Sequence, residues 1–474
     1  MTTAESMPCL YGEMDHNISR TRQTITDEML TVAAPGQDEL DEFTIRKLSG
    51  LTSELLIADG EFAAAEYDRY TGVKERGLDI DRGAIAERIA GKSVLVTGGT
   101  GLIGSALLKE LGTLGATRLA SISRGVTQPT EQIAGVDYFN GDIRNPSDVG
   151  AVMEEVKPDI VFHVAADKYN HEAEARAKFT LTTNIAGTKN VIETAKANGV
   201  QQLVFASTGK ATRPYSPDIY ASSKKTGEWL MTGAAEDGML SSAVRFTHVV
   251  DDSNVRKKIN ECIDDGNPVR LQGPDVLFYI QSAKESAHLL LNSLLEAEPG
   301  VLNIQAMRDL AMPINLLGLG LGAVAKKNSK VPIYFGGVEK GYEDVAWPGL
   351  YDPLTGGDVS PLINAIEATE ATESTHCPAV DTFPLKIARS AEAELRLKEL
   401  LEACNTTTDN GTLRETNQAL GWAMLDARLN ALPWATLNRT AARAAKFAML
   451  GNVSSEHERT DAIITDVYQA SRPQ

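Results

Sequence analysis

The sequence predicts an α/β protein, a doubly wound parallel sheet covered on both faces, with helical extensions before and after it. Three observations lead there. Short, continuous apolar runs (KSVLVTG, RLASIS, PDIVFHVAA and QQLVFAS) alternate with helical stretches. Runs without polar alternation are what strands buried on both faces require. The first run closes in a glycine-rich turn that opens a helix, and outside the central region the pattern becomes helical alone.

Taken in order, residues 1–90 form an expected helical extension. DELDEFTIRKLSGLTSELLIADGEFAAAEYDRY carries apolar residues three and four apart and reads as two amphipathic helices. DRGAIAERIAGK then leads into the core, with Asp81 as the cap of a short helix and Gly91 as its end. Residues 91–350 are the dinucleotide-binding domain, its strands separated by the helices SALLKELGTLG, PSDVGAVMEEVK and NIAGTKNVIETAKANG, with a small substrate-binding subdomain mainly after 245. The Thr- and Glu-rich stretch over 351–380 is expected to be a linker. Residues 381–474 hold three helical patterns, a C-terminal extension expected to pack on the core or a second subunit, so a homo-oligomer is expected.

A formal net charge of -18 over 474 residues argues against a nucleic-acid or anionic-membrane surface, both of which need clustered Lys and Arg. No apolar run has the length of a bilayer span. MTTAESMPCL has neither the basic nor the apolar region of a secretory signal. Cys9, Cys262, Cys377 and Cys404 lack metal-ligand spacing and read as reduced thiols. A soluble cytoplasmic protein with no bound metal is expected.

VLVTGGTGLIGSALLKEL places Gly98, Gly101 and Gly104 between a strand and a helix. Such glycines let the backbone, here of Thr100, Leu102 and Ile103, approach a pyrophosphate whose charge rests on the helix N-terminus. This is the signature of a Rossmann-like fold. The second strand ends in Ser123 and Arg124, where an NAD-preferring site usually carries an acid. Arg offers a planar fork to a 2′-phosphate, so NADP is the expected cofactor and NAD the second choice. FNGDIR offers Asp142 and Ile143 to the adenine.

FASTGKATRPYSPDIYASSKKTGEW concentrates the chemistry. Tyr220 and Lys224 lie four apart, on one face of a helix. The ammonium of Lys224 is expected to lower the phenol pKa and hold the nicotinamide ribose, while Thr208 donates to the substrate oxygen. Lys210 is a candidate base for a C–H made acidic by a neighbouring ketone. His163, inside an apolar strand, reads as a core residue. His171 and His248 are candidate substrate contacts.

These residues resemble the extended short-chain dehydrogenase/reductase superfamily. They are most similar to its polysaccharide-biosynthesis branch, which includes the UDP-N-acetylglucosamine 4,6-dehydratases. TGGTGLIG, PDIVFHVAADKYNH, TNIAGTKNVIETAKANGVQQLVFAST and the run from RFTHVVDD to SAHLLL carry the likeness, over about residues 91–345. The resemblance adds Ala165, Ala166 and Lys168 to the cofactor contacts, gives Lys210 the role of carbon base, and implies a sugar-nucleotide substrate. Two departures stand out. The branch writes Ser-Thr-Asp-Lys where this chain has Ser207-Thr208-Gly209-Lys210, and VLFYI and GGVEKGYED replace its Arg-bearing and PGEK segments. Without the acid, loss of hydroxide is slower by roughly 10²–10⁴. Epimerisation through a transient ketone is therefore the favoured expectation. The alternatives are a 4,6-dehydratase with a relocated acid (Asp167, or a Glu of HEAEAR), a ketoreductase, or a catalytically weakened dinucleotide-binding scaffold.

Overall fold

Val94, Leu95, Val96, Val161, Phe162, Leu203, Val204 and Phe205 have no exposed surface, so the strands that carry them must be covered on both faces. The computed structural model describes residues 14–37, 39–125, 132–168, 170–338, 360–364, 366–368, 370–387, 389–448 and 455–473. Its main sheet is built from β1 (Ser93–Thr97), β2 (Arg118–Ser123), β3 (Val136–Asn140), β4 (Ile160–His163), β5 (Gln202–Ala206), β6 (Leu240–Arg245), β7 (Leu302–Met307), β8 (Thr372–Glu373) and β9 (Val380–Leu385). The spatial order is β3-β2-β1-β4-β5-β6-β7-β9-β8. Pairing is parallel from β3 to β7 and antiparallel for β9 against both of its neighbours. Crossovers through Leu102–Leu111, Pro146–Val156, Gly187–Ala197 and Ile219–Glu236 supply the helical layers. This is the Rossmann-like doubly wound sheet expected. The order reverses between β1 and β4, where ligands of open α/β sheets bind beyond the strands' carboxyl ends.

The stretch expected as a linker over 351–380 departs from that expectation. Its described residues include β8 and the start of β9, and Ser360, Asn364, Glu367 and Ser374 are buried. Thr and Glu content suggested a solvated connection. Here one of its acids is the partner of a buried cation instead: Glu367 pairs with Arg245.

The N-terminal helices do not stand apart either. Met14–Val32 and Glu42–Gly72 share a second core with Ile259, Ile263, Leu271, Leu317, Leu321 and Phe335 from the subdomain after β6. That subdomain pairs short strands: Val269–Leu271 with Ile333–Phe335, His248–Val249 with Ile280–Gln281, and Leu277–Phe278 with Ile314–Asn315. The two helices expected within residues 38–70 follow one another directly along Glu42–Gly72, divided by a kink at Asp59 (φ -123°, ψ 16°). Asp59 is buried and ion-paired with Arg22 of the preceding helix. Asp81 caps Arg82–Ile89, its Oδ1 accepting from the Ala84 N–H at 3.0 Å, and Gly91 follows at φ +73°. At the C-terminus, Ala391–Thr406, Asn410–Asn430 and Trp434–Ala448 match the three expected helices, and Ser455–Ala470 adds a fourth. No described helix is long and apolar enough to cross a membrane.

Candidate active site

The glycine loop leaves β1 at Gly98, whose φ of +77° suits glycine. A side chain there would meet the Ala165 backbone at 2.8 Å, and one at Gly104 would meet the Gly98 carbonyl at 2.3 Å. The Leu102–Leu111 helix therefore starts tightly against the ends of β1 and β4, and its N-cap, Gly101, has no side-chain capping bond. Unsatisfied N–H groups behind a glycine cradle suit a pyrophosphate. Thr97, His163 and Thr188 brace the loop from below. Thr97 Oγ1 lies 2.8 Å from His163 Nδ1 and accepts from the Ala165 N–H at 3.1 Å, while His163 Nε2 lies 2.9 Å from Thr188 Oγ1. Burial pulls the His163 pKa to about 3, so it stays neutral as a structural bridge.

At the adenosine end, Ser123 Oγ faces the Thr100 N–H at 3.5 Å, and the exposed Arg124 guanidinium sits 5.0 Å from the Phe179 ring centre. Arg144 and Arg176 approach the same ring at 4.8 and 5.1 Å. Burial opposes the charge on Asp142, but Arg144 outweighs it and, with Arg124, holds the carboxyl below its usual range. Ile143 is buried, and its carbonyl accepts from Asn190 Nδ2 at 3.0 Å. Ala165 and Ala166 are half-buried beyond β4, and Lys168 is exposed.

Thr208 follows β5 and caps a short 3₁₀ turn, Gly209–Thr212, accepting from the Lys210 N–H at 3.4 Å. Tyr220 and Lys224 lie on the helix Ile219–Glu236, which is capped by Asp218 through the Ala221 N–H at 2.7 Å. The Tyr220 phenol lies close enough to Thr208 to feel its hydroxyl, and the Lys224 ammonium, one turn further on, lies 4.1 Å from the ring centre of Phe205 on β5. Burial pushes the Tyr220 pKa up to about 12, although the Thr208 bond works against the rise. Burial also pulls Lys224 down to about 7, opposed by Glu228. This differs from the expected activated phenol, because desolvation outweighs the lowering by Thr208, and the charges of Asp218 and Asp167 add to the rise. Lys210 is half-buried on the turn.

The space beside Gly209 explains the missing acid. A Cβ at this position would meet Leu362 Cδ2 at 2.7 Å and the Phe246 carbonyl at 3.2 Å. The Leu362 carbonyl is itself held by Thr212 Oγ1 at 2.9 Å and Arg245 Nη1 at 3.0 Å. Asp167, the first candidate for a relocated acid, is buried, with its two oxygens accepting from Arg176 and Thr180, each at 2.6 Å. Glu174 is engaged by Ile219 and Arg414, and Glu172 pairs with Arg176 at 3.0 Å. The His171 side chain lies outside the described residues. His248 sits in the second core's aromatic group, 2.8 Å from Ser253 Oγ, 3.4 Å from the Tyr70 hydroxyl and edge-on to Phe278. Burial pulls its pKa to about 4. Of the two departing segments, VLFYI supplies this Phe278, and GGVEKGYED beyond Val338 lies outside the described residues.

The sequence reading missed several supporting residues. Asn184, in a π-helical turn, accepts from the Asp167 N–H at 2.8 Å and donates to Ser223 Oγ at 3.0 Å, tying the loop after β4 to the Tyr220 helix. TN-x-x-GT was the available signal. Beneath the site, Arg245 is fully buried between Glu228 (2.8 Å) and Glu367 (2.7 Å), and Glu228 also accepts from Ser207 Oγ at 2.6 Å. Burial works against the Arg245 charge, but the two carboxylates outweigh it and hold its pKa above the ordinary value.

A glycine cradle at the switch point and a Thr/Tyr/Lys cluster at the end of the next strand define the extended short-chain dehydrogenase/reductase class of enzymes. Within that class, residues 94–345 match the polysaccharide biosynthesis protein family, and the chain belongs to it. The capsular polysaccharide biosynthesis protein CapD of Staphylococcus aureus is 28% identical over 287 residues, which make up 56% of this chain and 47% of that protein. A UDP-N-acetylglucosamine 4,6-dehydratase (inverting) of Campylobacter jejuni is 32% identical over 149 residues, 30% of this chain and 43% of that enzyme. This chain thus spans about half the length of these relatives. Among solved structures, Pen from Bacillus thuringiensis has the same fold, with a TM-score of 0.54 and 24% identity over 64% of this chain and 90% of Pen.

Proposed function

We propose that this chain modifies a nucleotide-linked sugar through a transient ketone, with a nicotinamide dinucleotide as cofactor and epimerisation favoured over dehydration. The observation that carries the reading is a glycine cradle that fits a pyrophosphate, followed by Thr208 just past the end of β5 and by Tyr220 one helical turn before Lys224. The bound dinucleotide supplies a hydride acceptor and, later, its donor. Tyr220, once ionised in the loaded site, takes the proton of the substrate hydroxyl as that carbon is oxidised, and Thr208 donates to the same oxygen. Lys224 keeps positive charge near the phenolate and the ribose. Lys210 removes the proton beside the ketone, and reprotonation from the opposite face inverts that carbon before reduction restores the alcohol. Leu362 beside Gly209, and the engagement of Asp167 and Glu174, favour a reaction that expels no hydroxide. The dehydratase among the relatives supports the second reading, dehydration with an acid from elsewhere.

The test is a panel of UDP-, GDP- and dTDP-sugars incubated in heavy water and followed by NMR. Deuterium should enter the carbon next to the transient ketone, and Lys210→Met should abolish the exchange while leaving slow hydride transfer that depends on Tyr220. Efficient loss of water by the wild-type enzyme would overturn the preference for epimerisation. The Arg124 position near Phe179 and Asp142 supports NADP over NAD. Arg124→Asp should weaken NADP about tenfold to a hundredfold more than NAD, the scale of a charge-assisted hydrogen bond. Equal losses measured by titration would remove Arg124 from the 2′-phosphate.

A further inference from the structure

The helix Asn410–Asn430 lies wholly beyond the family-matched residues 94–345, yet it grips the catalytic stretch on both sides of Tyr220. Before Tyr220, the Tyr215 and Trp422 rings stack with centres 3.4 Å apart. After it, Asn417 Nδ2 donates to Ser222 Oγ at 2.7 Å. Between these two contacts runs a relay through Glu174. Its Oε1 accepts from the Ile219 N–H at 2.7 Å, one residue before Tyr220, and its Oε2 accepts from Arg414 Nη2 at 2.7 Å and Nε at 3.2 Å. Glu174 stands on a six-residue helix, Asn170–Ala175, whose last carbonyl accepts from Asn410 Nδ2 at 2.7 Å.

A first-turn N–H has no partner within its own helix, so the group that accepts from it fixes where the helix starts. One carboxylate oxygen on Ile219 leaves the Glu174 side chain free to rotate about its remaining torsions. A guanidinium fork on the other oxygen removes that freedom. The Glu174 side chain is 10% exposed and that of Arg414 29%, so the pair is sheltered while Arg414 reaches the surface.

We propose that Arg414 is a positioning residue for Tyr220: through Glu174 it sets the first turn of the Ile219–Glu236 helix, so the C-terminal helices complete the active site within the same chain. The chemical consequence rests on the role proposed above for Tyr220, whereas the mechanical claim does not. Small displacements of a reacting group cost up to about a hundredfold in rate. Arg414→Ala should therefore lower kcat roughly ten- to a hundredfold while changing the cofactor KM far less, because the glycine cradle makes no contact with the Asn410–Asn430 helix in the bonds described above. Arg414→Lys should restore most of the loss, which a variant damaged only in packing would not show.

The experiment pairs those kinetics with amide hydrogen exchange of the full-length protein, alone and with NADP added. Faster exchange confined to the segment after Asp218 in Arg414→Ala and Glu174→Ala, with an unchanged thermal midpoint, is the expected result. Glu174→Gln keeps an acceptor for Ile219 and should exchange more slowly than Glu174→Ala. Unchanged exchange in both alanine variants overturns the relay whatever the activity. Accelerated exchange in a protein that turns over no sugar nucleotide supports the relay and overturns the chemistry assigned to Tyr220 instead.

Discussion

The glycine cradle is shaped by the ends of β1, β2 and β4 and by the helix turn that carries Asn184 and Thr188, all within one run of consecutive βα units. The Thr208–Tyr220 stretch is held differently. Leu362 and Asn364 bond Thr212 from far downstream, Glu367 reaches Arg245, and from later still Asn417 reaches the Tyr220 helix directly and Arg414 through Glu174. The cradle therefore rests on contacts within one run of consecutive βα units, and the Thr208–Tyr220 stretch on contacts from far downstream. Damage to the tail should separate the two functions.

The most forceful way to break that contrast is Arg245→Ala. It leaves Glu228 and Glu367 buried without their cation, a loss of about 3–5 kcal/mol in a denaturant titration. A loss below about 1 kcal/mol would mean that the downstream segment is not anchored through this triad. A narrower probe is Gly209→Asp. The new side chain collides with Leu362, so overpacking should cost about 1–3 kcal/mol while dinucleotide affinity holds. Adding Leu362→Ala should recover stability and open the slot for an acid; failure to recover would place the clash at the Phe246 carbonyl instead.

The last probe, read as a slope across pH, is Lys224. Its folded pKa of about 7 lies below the ordinary 10.5, so between those values the unfolded chain holds a proton that the folded one lacks. Stability therefore rises with pH across that window, by up to about 1.4 kcal/mol per unit for one proton. Lys224→Met should flatten the rise in melting temperature between pH 7 and 10 without abolishing it, because burial also pulls Lys225 down to about 8. An unchanged slope would mean that Lys224 stays charged in the folded state.

Legibility in the sequence followed the same division. The cradle, the Asp81 cap and the alternation of β1 to β5 could be read because spacing alone encodes them. Thr208, Tyr220 and Lys224 could be read as a group, but their environment could not: desolvation depends on what covers them. Leu362 and Glu367 gave no signal, since an apolar residue and an acid in a Thr/Glu-rich stretch acquire meaning only opposite Gly209 and Arg245. The place where the two helices along Glu42–Gly72 divide, Asp59, was invisible for a related reason, as its partner Arg22 lies on another helix.

One consequence concerns how the chain is made. All six residues of β7 are buried, and its outer edge is completed by β9, whose register runs from Leu302 opposite Leu385 to Met307 opposite Val380. A growing polypeptide that has emerged only as far as β7 offers a bare row of amides and carbonyls along an apolar strand, the kind of edge that recruits neighbouring chains. Until β9 has been synthesised, the nascent protein is open to aggregation at that edge. Stalled translation or proteolysis within the stretch before residue 380 should thus yield insoluble fragments rather than a smaller working enzyme.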